Sequence, residues 1–222
     1  MDARISPRAE CTIWGDTDTR VFLFADCEPA TASPSLGGSD RVGSGAMRGG
    51  VRVIGYHGTS GAKADGIIRV GFKTSENAYD WLGTGVYFFE EDLGRAQRWA
   101  RDSAPDDPSV VAAAISLGNV LDLFDQEATA ALRDLAAATE ERFRQQNTPL
   151  PKNRGGRRDF DCMLINLFCE VLERSGTPVP GVRGLFEEGD PIHANSSIRD
   201  LTHIQLVVRD PRAILGVWKM HP

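Results

Sequence analysis

Two short apolar segments, each joined to glycines and a polar side chain, constrain the fold of this chain most. Residues 51–56 read as a strand that delivers His57 and then a Gly-Thr-Ser run, and residues 86–89 carry Tyr87 directly after a Gly-Thr-Gly run. Because glycine has no Cβ, a flat ligand or its phosphates can touch the backbone closely at such positions. We therefore predict neighbouring strands on which His57 and Tyr87 hold one polar ligand between them.

The composition is that of a globular protein with an acidic balance of charge. The 222 residues are 41% hydrophobic and 25% charged, with a formal net charge of -6, which argues against a broadly basic nucleic-acid footprint. One dense basic run, residues 152–158, is predicted to be a solvated loop. No stretch of about 18 apolar residues is present, and the first residues lack the apolar region of a signal peptide. A cytoplasmic protein without a membrane partner is therefore expected.

Residues 1–50 are predicted to be an N-terminal extension, and residues 51–222 the folded domain. Residues 12–14 and 20–24 flank a turn-like Gly-Asp-Thr-Asp cluster and suggest a hairpin. Residues 29–50 are dominated by Gly, Ser, Pro and Ala, and they carry too little apolar surface to offset the entropy of ordering them. A flexible linker is therefore predicted between the hairpin and the domain.

The cysteines and histidines do not form a metal-binding pattern. Cys11, Cys27, Cys162 and Cys169 include no C-x-x-C pair, whereas a zinc site needs closely spaced ligands. Cys162 and Cys169 fall on one face of a predicted helix among core residues. We expect reduced structural thiols and no metal.

Hydrophobic periodicity and end signals predict alternating strands and helices, followed by a cluster of strands. A helix capped by Thr59 or Ser60 ends at Gly71, and a second helix begins at Asp92 with Trp99 on its apolar face. The remaining predicted segments are a strand at 110–117, helices at 126–146 and 160–174, and strands at 182–186, 203–208 and 213–218. This order predicts an α+β fold with a mixed or antiparallel sheet and helices packed on it.

In the order in which they occur, these segments resemble the catalytic core of the PARP-like ADP-ribosyltransferases. The resemblance covers residues 51–219 and is carried by Tyr56-His57-Gly58-Thr59, Gly71-Phe72, Gly83-Thr84-Gly85-Val86-Tyr87-Phe88 and residues 96–100. In that family a strand ending in H-G-[ST] and a G-x-G-[IV]-Y-F strand form the two walls of an NAD pocket. The resemblance implies an ADP-ribosyltransferase-like split sheet with flanking helices, and NAD as the co-substrate.

The third element of that family is a strand that carries a glutamate in the members that transfer ADP-ribose. The alignment falls on residues 203–210 and puts Gln205 at that position. Glutamine can hydrogen-bond a ribose hydroxyl but cannot accept a proton, so a general-base contribution of roughly 10²–10⁴-fold would be missing. Glu187 and Glu188, in a turn beside Gly189, are the candidate substitutes, with Glu188 preferred. Whether Gln205 or Glu188 fills the third catalytic role stays open at this point.

The chemistry of NAD explains why these residue types would surround it. Breaking the bond between ribose and nicotinamide passes through an oxocarbenium-like transition state, so a site must fix the carboxamide and the ribose hydroxyls. His57 would bind a ribose hydroxyl, the Gly58 backbone would pair with the carboxamide, and the Tyr87 ring would stack on the nicotinamide. The other residues expected to contact NAD are Thr59, Ser60, Gly85 and Trp99, with Tyr79 and Trp81 as alternatives to Trp99.

The leading interpretation is an NAD-dependent mono-ADP-ribosyltransferase, because the polymer-forming members of the family require the glutamate that Gln205 replaces. A small acidic domain of this kind resembles bacterial toxins of toxin–antitoxin or phage-defence systems. That resemblance implies a protein or nucleic-acid acceptor and an antitoxin or immunity partner. The acceptor would be selected by residues 73–81 and 152–158.

Three alternative functions would use the same pocket. An NAD glycohydrolase would transfer ADP-ribose to water. A tRNA 2′-phosphotransferase shares the fold but would be expected to carry more basic residues in its pocket than this sequence has. A catalytically inactive NAD- or ADP-ribose-binding module would explain the missing glutamate.

Overall fold

The computed structural model describes residues 51–220 of the chain. The predicted hairpin and linker, together with Cys11 and Cys27, lie outside the described residues. Within residues 51–220, no helix combines the length and the apolar character that crossing a membrane requires.

The described chain contains seven strands and four helices. The strands are β1 (Arg52–Ser60), β2 (Val86–Glu90), β3 (Pro108–Ser116), β4 (Leu121–Asp122), β5 (Gly181–Phe186), β6 (His203–Val208) and β7 (Ile214–Lys219). The helices are α1 (Gly61–Val70), α2 (Leu93–Ser103), α3 (Gln126–Gln145) and α4 (Asp159–Arg174). Each element predicted within the described residues is present. Within residues 51–220, β4 and a 3-10 turn at Pro211–Ala213 are additional, because elements of two or three residues are too short to show a sequence period.

Local signals in the sequence explain where α1 and α2 begin and where α1 ends. The Ser60 hydroxyl caps α1 by accepting a hydrogen bond from the N–H of Lys63 at 3.4 Å, and Gly71 ends the helix at a φ of 87°. Asp92 caps α2 by accepting from the N–H of Arg95 at 2.8 Å. The predicted cap and stop of α1 are confirmed, and β1 therefore passes into α1 without a loop.

The strands form one sheet in the order β4-β5-β6-β2-β1-β3-β7. Neighbouring strands are antiparallel except β4 and β5, which are parallel. The predicted α+β class with a mixed sheet is confirmed. Strands β6, β2 and β1 are consecutive in space although they are far apart in the sequence, so Gln205, Tyr87 and His57 lie on three adjacent strands.

The sheet opens between β1 and β2. The pairing of these two strands ends at Tyr56 and Phe89. Beyond that point β1 stays paired with β3 as far as its last residue, Ser60, and β2 stays paired with β6 back to its first residue, Val86. Each strand therefore follows its outer neighbour, and a gap forms in the middle of the sheet next to His57.

Different side chains cover the two faces of the sheet at this gap. One face is covered by α2 and α4 and includes Tyr87 and Val207; we call it the helical face. The opposite face carries Phe88 and Leu206 packed with Phe72, and we call it the Phe72 face. Because successive residues of a strand point to opposite faces, these contacts fix the direction of every side chain in β2.

A buried group of charges ties the strands together beside this core. Arg183 on β5 donates to both carboxylate oxygens of Glu90 at 2.6 and 2.7 Å, and to Asp122 at 3.2 Å. The side chain of Glu90 is 7% exposed. A two-pronged arginine–carboxylate contact is the geometry that best offsets the cost of desolvating both charges. Strands β2 and β5, which β6 separates, are therefore linked directly through their side chains.

On α1 and α2, two apolar side chains that the hydrophobic period places on the inward face are exposed instead. Ile68 of α1 is 47% exposed and Trp99 of α2 is 48% exposed. The buried contacts of these helices come from alanines, which let the helix backbone approach the sheet closely. These alanines are Ala64, Ala96 and Ala100, all within 1% of complete burial.

Candidate functional site

The gap between β1 and β2 faces backbone groups of Gly58. The N–H of Ile54 donates to the Glu91 carboxylate and its C=O accepts from the Glu91 N–H, so both groups of Ile54 point toward β2. Backbone groups alternate between the two neighbours along an antiparallel strand, and those of Tyr56 and Gly58 therefore point the same way. Since pairing with β2 has ended before Gly58, its N–H and C=O face the gap. A carboxamide has the donor and acceptor that match such a pair.

Gly58 is also a point of close packing between β1 and α2. A Cβ at this position would lie 2.3 Å from the carbonyl oxygen of Ala96 and 3.0 Å from the amide nitrogen of Ala100. No side chain fits between the strand and the helix backbone. Trp99 is next to the same point, with its Cδ1 3.2 Å from the Cβ position of Gly58, and so lies at the rim of the gap.

His57 reaches across the gap from β1 to β2. Its Nδ1 lies 2.9 Å from the carbonyl oxygen of Tyr87, and because a carbonyl only accepts, Nδ1 carries the proton and Nε2 is the acceptor. No group within residues 51–220 hydrogen-bonds to that Nε2. Burial lowers the pKa of His57, although the bond to Tyr87 acts in the opposite direction. The imidazole is therefore neutral at pH 7 and can accept from a hydroxyl.

The hydroxyl of Tyr87 is used within the protein. It donates to the carbonyl oxygen of Gly83 at 2.7 Å and accepts from the N–H of Leu82 at 3.1 Å. Burial, with the charge of Asp80 in addition, raises the pKa of Tyr87 far above its ordinary value. The phenol stays protonated and holds the loop that precedes β2. Only the ring of Tyr87 is left to contact a ligand.

His57 and Tyr87 do not hold a ligand between their side chains in the way that the sequence predicted. The His57 ring packs against Phe72 and Phe88, with centroids 5.5 and 6.1 Å away, and so lies toward the Phe72 face. Tyr87 lies on the helical face. The reason is the two-residue period of a strand. In the β1–β2 register His57 is level with Phe88, so the two side chains share a face, whereas Tyr87 is next to Phe88 in the chain and points to the opposite face. The two residues meet instead through the imidazole and the main chain at the gap.

Gln205 is held on the helical face by a chain of hydrogen bonds. Trp81 Nε1 donates to Gln205 Oε1 at 2.5 Å, and Gln205 Nε2 lies 3.0 Å from Nε2 of His203. His203 Nδ1 is 2.7 Å from the carbonyl oxygen of Leu201, to which it must donate, so His203 Nε2 accepts from Gln205. The chain fixes both the amide orientation and the histidine tautomer. One N–H and one lone pair of the Gln205 amide remain for a hydroxyl of a ligand.

The surroundings of His203 keep this chain intact. The side chain has no exposed surface. Burial lowers the pKa of His203; the bond to Leu201 opposes this shift, and the positive charge of Arg95 adds to it. A protonated imidazole would lose the acceptor that Gln205 requires, so the neutral form is also the one that orients the amide.

Stability should therefore fall in acid through His57 and His203. Lowered pKa values mean that the unfolded chain binds these protons more tightly than the folded one, so the free energy of unfolding falls as the pH drops below the ordinary value of 6.5 toward the folded values. Urea midpoints from about pH 8 to about pH 5 would measure this for the wild type and for His203→Asn, whose amide keeps the donor to Leu201. The difference in urea midpoint between the wild type and His203→Asn should be constant above pH 6.5. Below pH 6.5 this difference should shrink. Parallel curves would contradict the prediction.

Glu188 lies near this chain, in the turn after β5. Its carboxylate forms an ion pair with Arg95, and one of its oxygens is 3.9 Å from Nδ1 of His203. Gly189 makes the turn at a φ of 85°, and a Cβ there would collide with Asp200. The candidate base is therefore beside the Gln205 chain, but it is bound to a cation.

Arg95 is a site residue that the sequence reasoning missed. A cation in the first turn of a helix is unfavourable because the helix dipole is positive there, and α2 has no acidic residue in its first turn to balance Arg95. That conflict with local preference is the signal that would have identified it.

The other predicted NAD contacts mostly have internal partners. The N–H and C=O of Gly85 are bonded to Ser75 at 3.0 and 2.9 Å, and a Cβ on Gly85 would lie 2.5 Å from Val207. Packing thus explains this glycine without a ligand. Thr59 is 7% exposed within β1, and Ser60 is the cap of α1.

The start of α1 is also occupied and does not offer free N–H groups to a phosphate. The main-chain oxygen of Asp107 accepts from Gly61 at 2.9 Å, and its carboxylate accepts from Ala62 at 3.2 Å. These bonds satisfy N–H groups that a helix N-terminus otherwise leaves open. A phosphate next to the gap would need another positive group.

The two loops that were predicted to select an acceptor meet in one surface. The Arg157 guanidinium lies 4.4 Å from the Tyr79 ring centroid, and the N–H of Arg158 donates to the Tyr79 carbonyl at 3.0 Å. The Arg158 guanidinium is 5.7 Å from the Phe186 ring, which is 5.0 Å from the ring of Trp81. We call these five residues the aromatic–arginine surface. Through Trp81 it is bonded to the amide chain of the site.

A separate surface cavity of about 400 Å³ is lined by residues that include Thr84, Glu173 and Arg209. None of the residues predicted to contact NAD or to take part in catalysis lines it.

The chain matches no protein-family model, and no curated protein matches it at a significant level. A functional interpretation therefore depends on the geometry of the gap and on the chemistry of the residues around it.

Proposed function

We propose that the chain is an NAD-dependent mono-ADP-ribosyltransferase that moves ADP-ribose from NAD to a macromolecular acceptor and releases nicotinamide. One observation carries the proposal. The sheet opens between β1 and β2 beside the backbone of Gly58, and the three central strands contribute His57, Tyr87 and Gln205 around that opening. A free N–H and C=O on one residue form a natural partner for the nicotinamide carboxamide.

In this proposal Gln205 orients the ribose from the helical face, and His57 reaches the ribose through the gap from the opposite face. The neutral Nε2 of His57 accepts from one hydroxyl, and the free N–H of Gln205 donates to another. These bonds hold the anomeric carbon in line with the attacking atom, which is the positional part of catalysis. The bond between that carbon and the nicotinamide nitrogen breaks, its electron pair goes to nicotinamide, and the acceptor atom bonds to the carbon and gives up a proton.

That proton needs a base other than Gln205. The Glu188 carboxylate, on the same side of the sheet and 3.9 Å from His203, is the group we assign to this role. General-base assistance is worth roughly 10²–10⁴-fold. Gln205 then fills the orienting part of the third role, and Glu188 the proton-accepting part.

The aromatic–arginine surface supports a macromolecular acceptor. Flat rings next to guanidinium groups can contact either a peptide or an exposed base, so a protein and a nucleic acid both fit. By analogy with toxin-type transferases, we propose a cytoplasmic toxin restrained by an antitoxin or immunity partner.

One observation favours a second candidate, a catalytically inactive NAD- or ADP-ribose-binding module. The third position is an amide, and the Glu188 carboxylate is bound to Arg95 instead of being free. Such a module would bind NAD with the same contacts and release no nicotinamide.

Labelled NAD distinguishes these functions. The protein would be incubated with NAD labelled in its adenylate phosphate and with a bacterial lysate, and parallel samples would be treated with protease or nuclease while nicotinamide release is measured. Transfer predicts label in a macromolecule that one of the two treatments removes. Nicotinamide release without a labelled macromolecule would identify a glycohydrolase. Binding by calorimetry without any nicotinamide release would identify the inactive module and reject the transferase. Gln205→Ala should lose part of the labelling, and Tyr87→Ala nearly all of it.

A further inference from the structure

Arg95 is a buried cation with few partners. Its side chain is 6% exposed, and its charged partner is Glu188. Its Nε is buried and has no hydrogen-bond partner among residues 51–220. A guanidinium carries five N–H donors, and burying it without pairing them is costly. Proteins keep such a group where a ligand completes its bonding or where it tunes a site.

The position of Arg95 is central to the proposed NAD pocket. Its guanidinium lies 5.1 Å from the ring of Phe89 and 5.9 Å from the ring of Trp99. Trp99 is beside Gly58, and Phe89 pairs with Gln205 across β2 and β6. The cation is therefore close both to the residue beside the proposed carboxamide site and to the residue that pairs with Gln205. Contact with two aromatic rings restricts the guanidinium and so limits the directions of its donors.

Glu188 is held less firmly than Arg95. Its side chain is 34% exposed, and it belongs to the irregular segment between β5 and β6. Its main-chain oxygen accepts from Leu201 at 3.2 Å, so its backbone is anchored while the carboxylate can turn. The ion pair thus joins a rigid, buried cation to a movable, partly solvated anion.

We propose that this ion pair is exchangeable: the diphosphate of the ligand displaces Glu188 from Arg95, and the released carboxylate takes the proton of the acceptor. The inference rests on NAD being the substrate, as proposed above. A diphosphate carries more charge than one carboxylate and can accept from two guanidinium edges at once. It would supply a partner for the orphan Nε. The start of α1, where helices often bind phosphate, is already occupied by Asp107.

The exchange makes the base appear only when substrate is bound. Before binding, Glu188 is neutralised by Arg95; after binding, Arg95 is neutralised by the diphosphate. Glu188 then accepts the acceptor's proton as the acceptor atom bonds to the anomeric carbon, and the carbon–nitrogen bond breaks with its electron pair going to nicotinamide. Glu188 ends the step as a neutral acid, so charge and protons balance without another reactant.

Two binding measurements and one rate test the exchange. Calorimetry with ADP-ribose and, separately, with nicotinamide would be carried out on the wild type, Arg95→Met and Glu188→Gln. Arg95→Met should weaken ADP-ribose at least about 10-fold, the effect of losing charge-assisted bonds, and leave nicotinamide unchanged. Glu188→Gln should bind ADP-ribose more tightly, because a neutral amide competes less for Arg95, yet turn over NAD roughly 10²–10⁴-fold more slowly.

In Glu188→Gln the expected effects are opposite, because ADP-ribose affinity rises while NAD turnover falls. A purely structural role for the ion pair would not produce that combination. Unchanged or weaker ADP-ribose binding by Glu188→Gln, or unchanged binding by Arg95→Met, would overturn the proposal. Arg144→Met is the matched control, because Arg144 also pairs with a glutamate, Glu141, but is 75% exposed on α3, and its ADP-ribose affinity should equal that of the wild type. The double variant Arg95→Met/Glu188→Gln removes any unpaired buried charge and should bind like Arg95→Met.

Binding shifts of the expected sign without any NAD turnover by the wild type would retain Arg95 as a diphosphate ligand and reject the transferase.

Discussion

Replacing Arg183 with methionine should lower the free energy of unfolding by about 3–5 kcal/mol, the usual cost of stranding a buried charge. Glu90 would lose the two hydrogen bonds that compensate its burial, and its side chain is only 7% exposed. Urea unfolding followed by circular dichroism would measure the change. A loss below about 1 kcal/mol, the value typical of surface pairs, would show that the carboxylate is solvated in solution.

Two further variants separate the charge effect from packing. Replacing Glu90 and Arg183 together by methionine should recover most of the loss, because apolar residues of similar volume often substitute for a buried pair at little cost. Arg212→Met removes an exposed pair with Asp210, in which Arg212 is 91% exposed, and should leave the urea midpoint close to the wild-type value.

His57→Asn should reduce NAD turnover by about 100-fold or more while leaving the fold intact. The asparagine amide can replace Nδ1 as donor to the Tyr87 carbonyl, but it has no atom at the position of Nε2. Only the bond to the ligand is therefore lost, and misplacing a reacting group by about 1 Å is enough for a 100-fold effect. Nicotinamide release and the urea midpoint would be measured on the same preparations.

An exposed histidine elsewhere in the chain, His193, provides the control for that experiment. His193 is exposed and accepts from the N–H of Asn195 at 3.1 Å, outside the gap. His193→Asn should turn over NAD as the wild type does. If His57→Asn kept its turnover, Nε2 would have no part in binding, and the pocket between β1 and β2 would have to be abandoned.

Much of the fold could be predicted from local signals. Ser60 and Gly71 set the ends of α1, and the bounds of β6 follow from its own apolar run. Helices α3 and α4 follow from their apolar period. The mixed sheet follows from the order of these elements. These features depend on residues close together in the chain, and a sequence displays them directly.

The direction of the site side chains could not be predicted in the same way. A shift of one residue in register moves a side chain to the other face of a sheet, and the register of β1 against β2 is set where their pairing stops at Tyr56 and Phe89. That stopping point depends on β3 and β6, because beyond it β1 stays paired with β3 and β2 stays paired with β6. His57 and Tyr87 were correctly placed on neighbouring strands, but the sequence could not show that their side chains diverge.

Roles that depend on distant partners were also hidden. Gly85 had the form of a ligand-binding glycine, yet Ser75 and Val207 account for it. Arg95 belongs to no recognisable motif, and its proposed role follows only from its ion pair with Glu188. In both cases the partner lies at least ten residues away along the chain.

The hydrogen bond from Trp81 to Gln205 joins the aromatic–arginine surface to the proposed catalytic site. Trp81 contacts Phe186, and Phe186 contacts Arg158. A partner that binds Arg158 could therefore displace the Gln205 amide that would orient the ribose. An inhibitor would then have no need to compete with dinucleotide. It could inactivate the protein by displacing the Trp81 indole. A restraining partner that acts in this way would remain effective at any NAD concentration in the cell.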